Sequence, residues 1–466
     1  MERHKHNSGN RFKSWGVSAG IVGLAIPSAA IYWTNFKIHR FVPWFSGLAD
    51  LYLYVVISLI LSVLYLLAVF LTIKMGSGQG SFRGLTGFIV FSAVIFRLGL
   101  IAPDPTVLSR DMYRYIWDGR VQQSGVNPYL YPPGAAELEN LRDDEIFPNI
   151  NRKEYPTIYP AGAQVFFRIF YRLVGDSVTG FKGIMMMFDI LSLLVLAALL
   201  QILRLNVSRI IVYAWNPLVI FEIAYSGHIE GLTVFLVVAA LYLYVIHQKI
   251  PAGIMLALSA AVKLYPGLLL AALLNRGNRI KGILAFAATI MLLYLPFLDA
   301  GRKIAGFLPV YLNNPYESFN LGLKHLLMSL APGLNYSLLS LSFIIALAIA
   351  GLLVFLKNKK DVEVLRYAYI LTGLLLVLMP ASLHPWYVVL IIPFLVVYPN
   401  PAWLLFSCTV TLSYLKYVSP QGIMPTWVLV TEYLPFFVIL AGGFILSKYY
   451  GWKSIDNSNE LAGVLE

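Results

Sequence analysis

The chain has 466 residues, of which 59% are apolar and 12% charged, against roughly 25% charged in an ordinary soluble protein. That excludes a soluble globular enzyme. Thirty-five Lys and Arg against 23 Asp and Glu leave a formal charge of +12, which in so apolar a chain marks the cytoplasmic side of a membrane rather than a nucleic-acid partner. A single cysteine, Cys408, rules out an intrachain disulfide and a cysteine metal cluster.

Apolar runs near the ~20 residues that cross a bilayer core occur at 17–34, 51–73, 85–103, 179–203, 209–224, 230–246, 282–298, 337–356, 364–380, 386–399, 402–418 and 428–447. The expected fold is therefore all-α and polytopic, with about twelve transmembrane helices. The first run follows a basic leader (Arg3, Lys5, Arg11, Lys13) and ends near Pro27 and small residues; a retained anchor is expected, with a cleaved leader as the alternative.

Residues 252–274 form a run interrupted by Lys263, Leu264, Tyr265 and Pro266. Each half of about eleven residues makes only ~17 Å of helix, too short to cross alone. A spanning helix and a re-entrant pair give opposite topologies downstream. Re-entry puts Arg276, Arg279, Lys281, Lys357, Lys359, Lys360, Lys448 and Lys453 inside and only Arg302, Lys303 and Lys324 outside. The positive-inside rule thus favours re-entry with both termini cytoplasmic. The expected organisation is a three-span region 1–103, an extracytoplasmic loop 104–178 with interfacial helices, and a membrane core 179–298 containing the re-entrant 252–274. A second outer loop 299–336, C-terminal helices 337–447 and a cytoplasmic tail 448–466 complete it.

Nine of the 23 acidic residues fall between Asp104 and Glu154, inside the first outer loop. The plain reading is that this is the longest aqueous loop. Within it, Asp111, Tyr115 and Asp118 share one helical face, with Arg114 within reach of both carboxylates. Met112, Tyr113, Ile116 and Trp117 fall on the other sides, as in a helix lying at a membrane interface. A solvated connector whose charges only pair with one another would show the same pattern.

Asp111 and Tyr115, followed by Gly125, Asn127, Pro128 and Tyr129, form a pattern that resembles superfamily C glycosyltransferases. The closest resemblance is to their bacterial polyprenyl-phosphate-mannose-dependent mannosyltransferases. Tyr155 to Pro160 with Gln164, Trp215-Asn216-Pro217, Ser226 to Glu230, Lys263 to Pro266 and His384 to Tyr387 are similar to segments of that group. The resemblance covers most of residues 104–390.

The resemblance implies inverting transfer of a hexose, mannose first, from a polyprenyl-phosphate donor to a lipid or glycan acceptor hydroxyl at the outer face of the cell (inner) membrane. A hydroxyl is a poor nucleophile, so a carboxylate within ~3 Å must take its proton. Phosphate leaves as a stable anion, and nearby cations stabilise the developing charge. Asp111 matches the family's aspartate and is the expected base, with Asp118 and Asp104 in reserve. The loop follows the third span here, whereas the family often has it after the first.

Lys263 is the first candidate for the donor phosphate, or else it pairs with Asp189 or Glu222 inside the protein. Arg114 and Arg120 are further phosphate candidates that also suit pairing with the loop carboxylates, and His384 is another. Tyr129, Tyr159, Gln164, His228 and Glu230 are candidates for sugar or acceptor binding. Trp386 and Tyr387 read first as interface-belt aromatics. The two-residue spacing of His228 and Glu230 is a poor metal motif; the sequence demands no cofactor and leaves metal dependence open. A transporter or flippase of lipid-linked sugars is the competing class, and an undecaprenyl-linked oligosaccharide donor is a variant of the first.

Overall fold

The computed structural model describes residues 2–34, 49–74, 82–306, 308–309, 319–357 and 359–449. Residues 310–318 of the expected second outer loop and the tail from 450 onward, with Lys453, lie outside the described residues. Every regular element among the described residues is helical.

Among the described residues, six helices are long and apolar enough to cross a membrane: Gly16–Trp33, Asp50–Lys74, Val178–Ile202, Arg279–Ala305, Tyr336–Leu356 and Thr426–Leu446. A seventh follows if Val207–Ala214 and Pro217–Tyr225, bent by 59°, count as one span. Gly84–Leu98, Glu230–Val245, Lys249–Val262 and Pro385–Val397 are apolar but shorter. Several of the long helices turn apolar side chains outward: on Tyr336–Leu356, Leu338 is 67% and Leu353 64% exposed. So large an exposed apolar surface suits lipid and not water. The protein is a polytopic membrane protein by length, composition and surface.

The chain divides into two compact units. The first comprises 1–103, 193–225 and 392–466. Its centre is the break at Trp215, Asn216 and Pro217, where a helix interrupted within an apolar run must have its freed backbone groups satisfied by protein. Asn216 caps the second half by accepting from the Leu218 and Val219 N–H groups, and Pro217 begins that half, where it needs no N–H partner. The Asn216 amide donates to Tyr65 and Ser407, Arg97 donates to the Ala214 carbonyl at 2.8 Å, and the Trp215 indole donates to Ser92 at 3.0 Å. The motif that looked diagnostic in sequence is, in this unit, a satisfied joint.

The second unit comprises 104–192 and 226–391 and holds every candidate catalytic, phosphate-binding and sugar-binding residue. Helix Asp111–Gln123 packs on helix Ala161–Val174. Gly119 makes this close approach possible, since a Cβ there would lie 2.7 Å from the Phe167 carbonyl oxygen. Helix Lys249–Val262 lies between Glu230–Val245 and Arg279–Tyr294. It ends at Lys263, whose backbone is extended (φ −139°, ψ 132°). Beyond Lys263 the chain makes a tight turn, Tyr265–Leu269, and one helical turn, Leu270–Leu273, rather than a second helix of about eleven residues. Pro266 sits at the start of that turn, where its fixed φ suits a new helical start but cannot continue the previous helix.

Candidate active site

Asp111 is the first residue of its helix, where a carboxylate meets the positive end of the helix dipole. One of its oxygens accepts from the Asn151 amide at 2.9 Å. The other is 3.9 Å from His228 Nδ1, and the side chain remains 20% exposed. Asp111 is thus oriented from one side and accessible from the other.

His228 brings a second carboxylate to the same place, since Glu230 Oε2 lies 4.0 Å from its Nδ1. Burial holds the imidazole well below its ordinary pKa, reinforced by the positive charge of Lys263, so His228 is neutral. Glu230 begins helix Glu230–Val245 and is fully buried. Its Oε1 accepts from Lys263 Nζ at 3.1 Å and from the Tyr265 hydroxyl at 3.4 Å. Lys263 therefore pairs with Glu230, and neither Asp189 nor Glu222 is its partner in this pair. Its ammonium also lies 5.4 Å from the ring centres of Tyr159 and Tyr387, a distance at which the ring quadrupole attracts a cation.

Loop 226–229 reaches the Asp111 helix because Gly227 carries no side chain. Its φ is +69°, and a Cβ there would come 2.0 Å from Met112 Cε and 3.0 Å from Lys182 Cγ. A stack of rings runs from His228. Phe319 stacks on His384 at 4.6 Å, His384 on Trp386 at 4.3 Å, and Trp386 on His228 at 4.2 Å. Tyr115 packs against Phe167 and Tyr159. Burial and the Asp111 charge push the Tyr115 and Tyr159 hydroxyls well above the usual tyrosine range, so both stay protonated.

The remaining candidates serve a brace beside this cluster. Asp118 is 1% exposed; it accepts from Arg114 Nε at 2.9 Å and from Gln164 Nε2 at 2.8 Å. Arg114 also donates to the Tyr155 carbonyl, and Gln164 to Thr157, while Gln122 donates to Gln164. Arg120 is held by Asp143, Asp176 and the Leu141 carbonyl. The Tyr129 hydroxyl donates to the Tyr159 carbonyl at 2.7 Å, and its ring sits in an apolar cluster with Phe297. Asp104 caps the turn Pro105–Val107 and accepts from the Tyr113 hydroxyl at 3.3 Å.

The structure thus brings together Asp111, His228, Glu230, Lys263, His384 and Tyr159 of the sequence candidates, and puts Arg114, Asp118, Arg120, Tyr129 and Gln164 in the supporting network. Sequence reading missed Asn151 and Tyr265, and assigned Trp386 and Tyr387 to the interface belt. The signal for Tyr265 and Tyr387 was available in the Lys263 and His384 motifs, whereas nothing local singles out Asn151. No group of three or more His, Cys, Asp or Glu arranged to hold a metal occurs among the described residues.

No curated protein and no solved structure matches the chain. A family model described as alpha-(1->6)-mannopyranosyltransferase, N-terminal domain, matches residues 17–275. That stretch contains Asp111, His228, Glu230, Lys263 and Tyr265, and it is more than half of the chain. A membrane-embedded helical protein with this carboxylate cluster and this match belongs to the alpha-(1->6)-mannopyranosyltransferase family and is a glycosyltransferase.

Proposed function

We propose that the protein transfers mannose from a polyprenyl-phosphate donor to the hydroxyl of a lipid or glycan acceptor, with inversion, and that Asp111 is the general base. The observation that carries this reading is the contrast among the three loop aspartates. Asp111 alone of the three is oriented by Asn151, partly open, and beside the His228, Glu230 and Lys263 cluster. Asp118 has both oxygens engaged in a buried brace, and Asp104 caps a turn.

In the proposed step the acceptor hydroxyl gives its proton to the Asp111 carboxylate while its oxygen bonds to the sugar's anomeric carbon. The bond from that carbon to the phosphate breaks at the same time, and its electron pair leaves with the phosphate oxygen. Lys263 supplies positive charge for that leaving group, with His384 as a hydrogen-bonding neighbour. Glu230 offsets the Lys263 charge while the site is empty and contributes to sugar or acceptor binding with His228 and Tyr159.

The reading also includes the finer topology: about twelve crossings, re-entry of 252–274, both termini cytoplasmic, and the site on the outer face of the cell (inner) membrane. The helix break at Lys263 and the distribution of basic residues support it.

The test is transfer from polyprenyl-phosphate mannose by Asp111→Asn, Asp118→Asn and Asp104→Asn proteins in detergent. Asp111→Asn should insert and fold yet lose turnover by about 100-fold or more, the scale of general-base catalysis. Near-normal turnover in that variant, or retention of anomeric configuration in the product, would overturn the mechanism.

A further inference from the structure

Trp386 lies in the turn Pro385–Val388 and is 7% exposed. Both faces of its indole are covered, by His228 at 4.2 Å and 21° and by His384 at 4.3 Å and 10°. A sugar therefore has no free face of this ring to stack on, and only the edge remains. That edge carries Nε1–H, which is buried and makes no hydrogen bond. An indole N–H can only donate, and leaving it buried and unmet is unfavourable.

Glu230 brings a complementary atom to the same imidazole. Glu230 Oε1 is taken by Lys263 and Tyr265. Oε2 is buried, makes no hydrogen bond, and stands 4.0 Å from His228 Nδ1. A carboxylate oxygen beside a lysine is an acceptor only.

One unmet donor and one unmet acceptor flanking His228 define what completes the site. A phosphate oxygen would meet the indole but be repelled by Glu230. An ammonium would meet Glu230 but cannot accept from the indole. A neutral hydroxyl both accepts and donates, so its chemistry matches both atoms.

We propose that Trp386 and Glu230 together hold one hydroxyl of a mannosyl ring, with the indole N–H donating to the hydroxyl oxygen and the hydroxyl donating to Glu230 Oε2. The inference rests on the mannosyl-transfer reading and assigns Trp386 the task of selecting among ring hydroxyls, rather than of lining the membrane surface.

The experiment records the indole N–H resonances of isotope-labelled full-length protein in detergent, with Trp386→Phe identifying the Trp386 signal and Trp386→Tyr serving if the first variant fails to fold. Mannose 1-phosphate and methyl α-mannopyranoside are titrated in turn, followed by their monodeoxy analogues. The expected result is a saturable movement of the Trp386 resonance with one of these sugars, abolished for a single deoxy position. Movement with mannose 1-phosphate puts the hydroxyl on the donor ring, and movement with methyl α-mannopyranoside alone puts it on the acceptor. A resonance that stays still with both sugars, or moves equally with every deoxy analogue, overturns the proposal. Transfer assays on the same preparation separate the two ideas. A moving resonance without transfer sinks the transfer reading and leaves the hydroxyl pair standing; transfer with a still resonance does the reverse.

Discussion

Lys263 Nζ stands 3.1 Å from Glu230 Oε1, with the two side chains 12% and 1% exposed. Each charge makes the burial of the other tolerable, and removing one partner of such a pair costs more than replacing both. Lys263→Met should lower stability by about 3–5 kcal/mol, the usual cost of orphaning a buried carboxylate, and the double variant Lys263→Met with Glu230→Gln should recover much of it. Thermal unfolding in detergent checks this. The double variant should nonetheless remain defective in transfer; a stable double variant with full donor use would reduce the pair to a packing element.

Gly227 predicts a second effect. Alanine there must adopt φ +69° and place a Cβ on the Met112 methyl. The backbone term alone is about 1–3 kcal/mol, and the buried Met112 side chain, next to Asp111 in the chain, must also repack. Gly227→Ala should therefore lower both the unfolding temperature and turnover, whereas Gly125→Ala, also at positive φ but with open space around it, should affect stability alone. Equal turnover losses in the two variants would contradict this account.

Acid sensitivity should come partly from Asp143. Burial would raise its pKa, but Arg120 and the Phe147 and Ile146 N–H groups win, and the carboxyl is held below its ordinary value. A folded-state pKa below the unfolded one means that the unfolded chain binds the proton first. The stabilisation is complete above the ordinary carboxylate range and is lost as pH falls through the lowered value. Asp143→Asn should flatten the acid limb of a stability profile and leave its neutral limb parallel to that of the parent. An unchanged acid limb would show that other carboxylates govern it.

Topology gives a fourth prediction. Arg276 is exposed in the connection before Arg279–Tyr294, and Asn275 beside it is engaged by Tyr244 and Asp361. Arg276→Cys is therefore the better reporter, in a background where the buried Cys408 is replaced. Membrane-impermeant thiol reagents should reach it from the cytoplasmic side only. Labelling from outside would sink the re-entrant reading of 252–274.

What was legible in the sequence was local. The Asp111 face, the Arg114 to Asp118 pair at one helical turn, and the interruption at Lys263 all follow from spacing, helix period and proline chemistry, and each appears where spacing put it. The long-range choices were not legible. Gln164 completes Asp118, Asp143 and Asp176 hold Arg120, and Asn151 steadies Asp111. Periodicity states which way a side chain faces, but not what arrives opposite it from 23 to 56 residues away. The apolar runs map onto helices of unequal length: 230–246 forms the 16-residue helix Glu230–Val245, whereas 386–399 is divided into short helical pieces around Pro385 and Pro393.

The ring stack from Phe319 to His228 joins residues on either side of a chain interval that includes the whole of 229–318. Asp111, Glu230 and Lys263 come from the first 263 residues, as do His228 and Tyr159, but the other rings of the stack come from 319 and 384–386. During synthesis, then, the charged half of the site is made and inserted well before its aromatic half emerges. Until then Glu230 and Lys263 have each other and Tyr159 but not Tyr387, so the growing chain holds both carboxylates and the cation before the full set of rings is beside them. The ring stack is completed late, with the segment around His384, and a chain interrupted before it would carry Asp111, Glu230 and Lys263 with His228 but without the His384 and Trp386 rings.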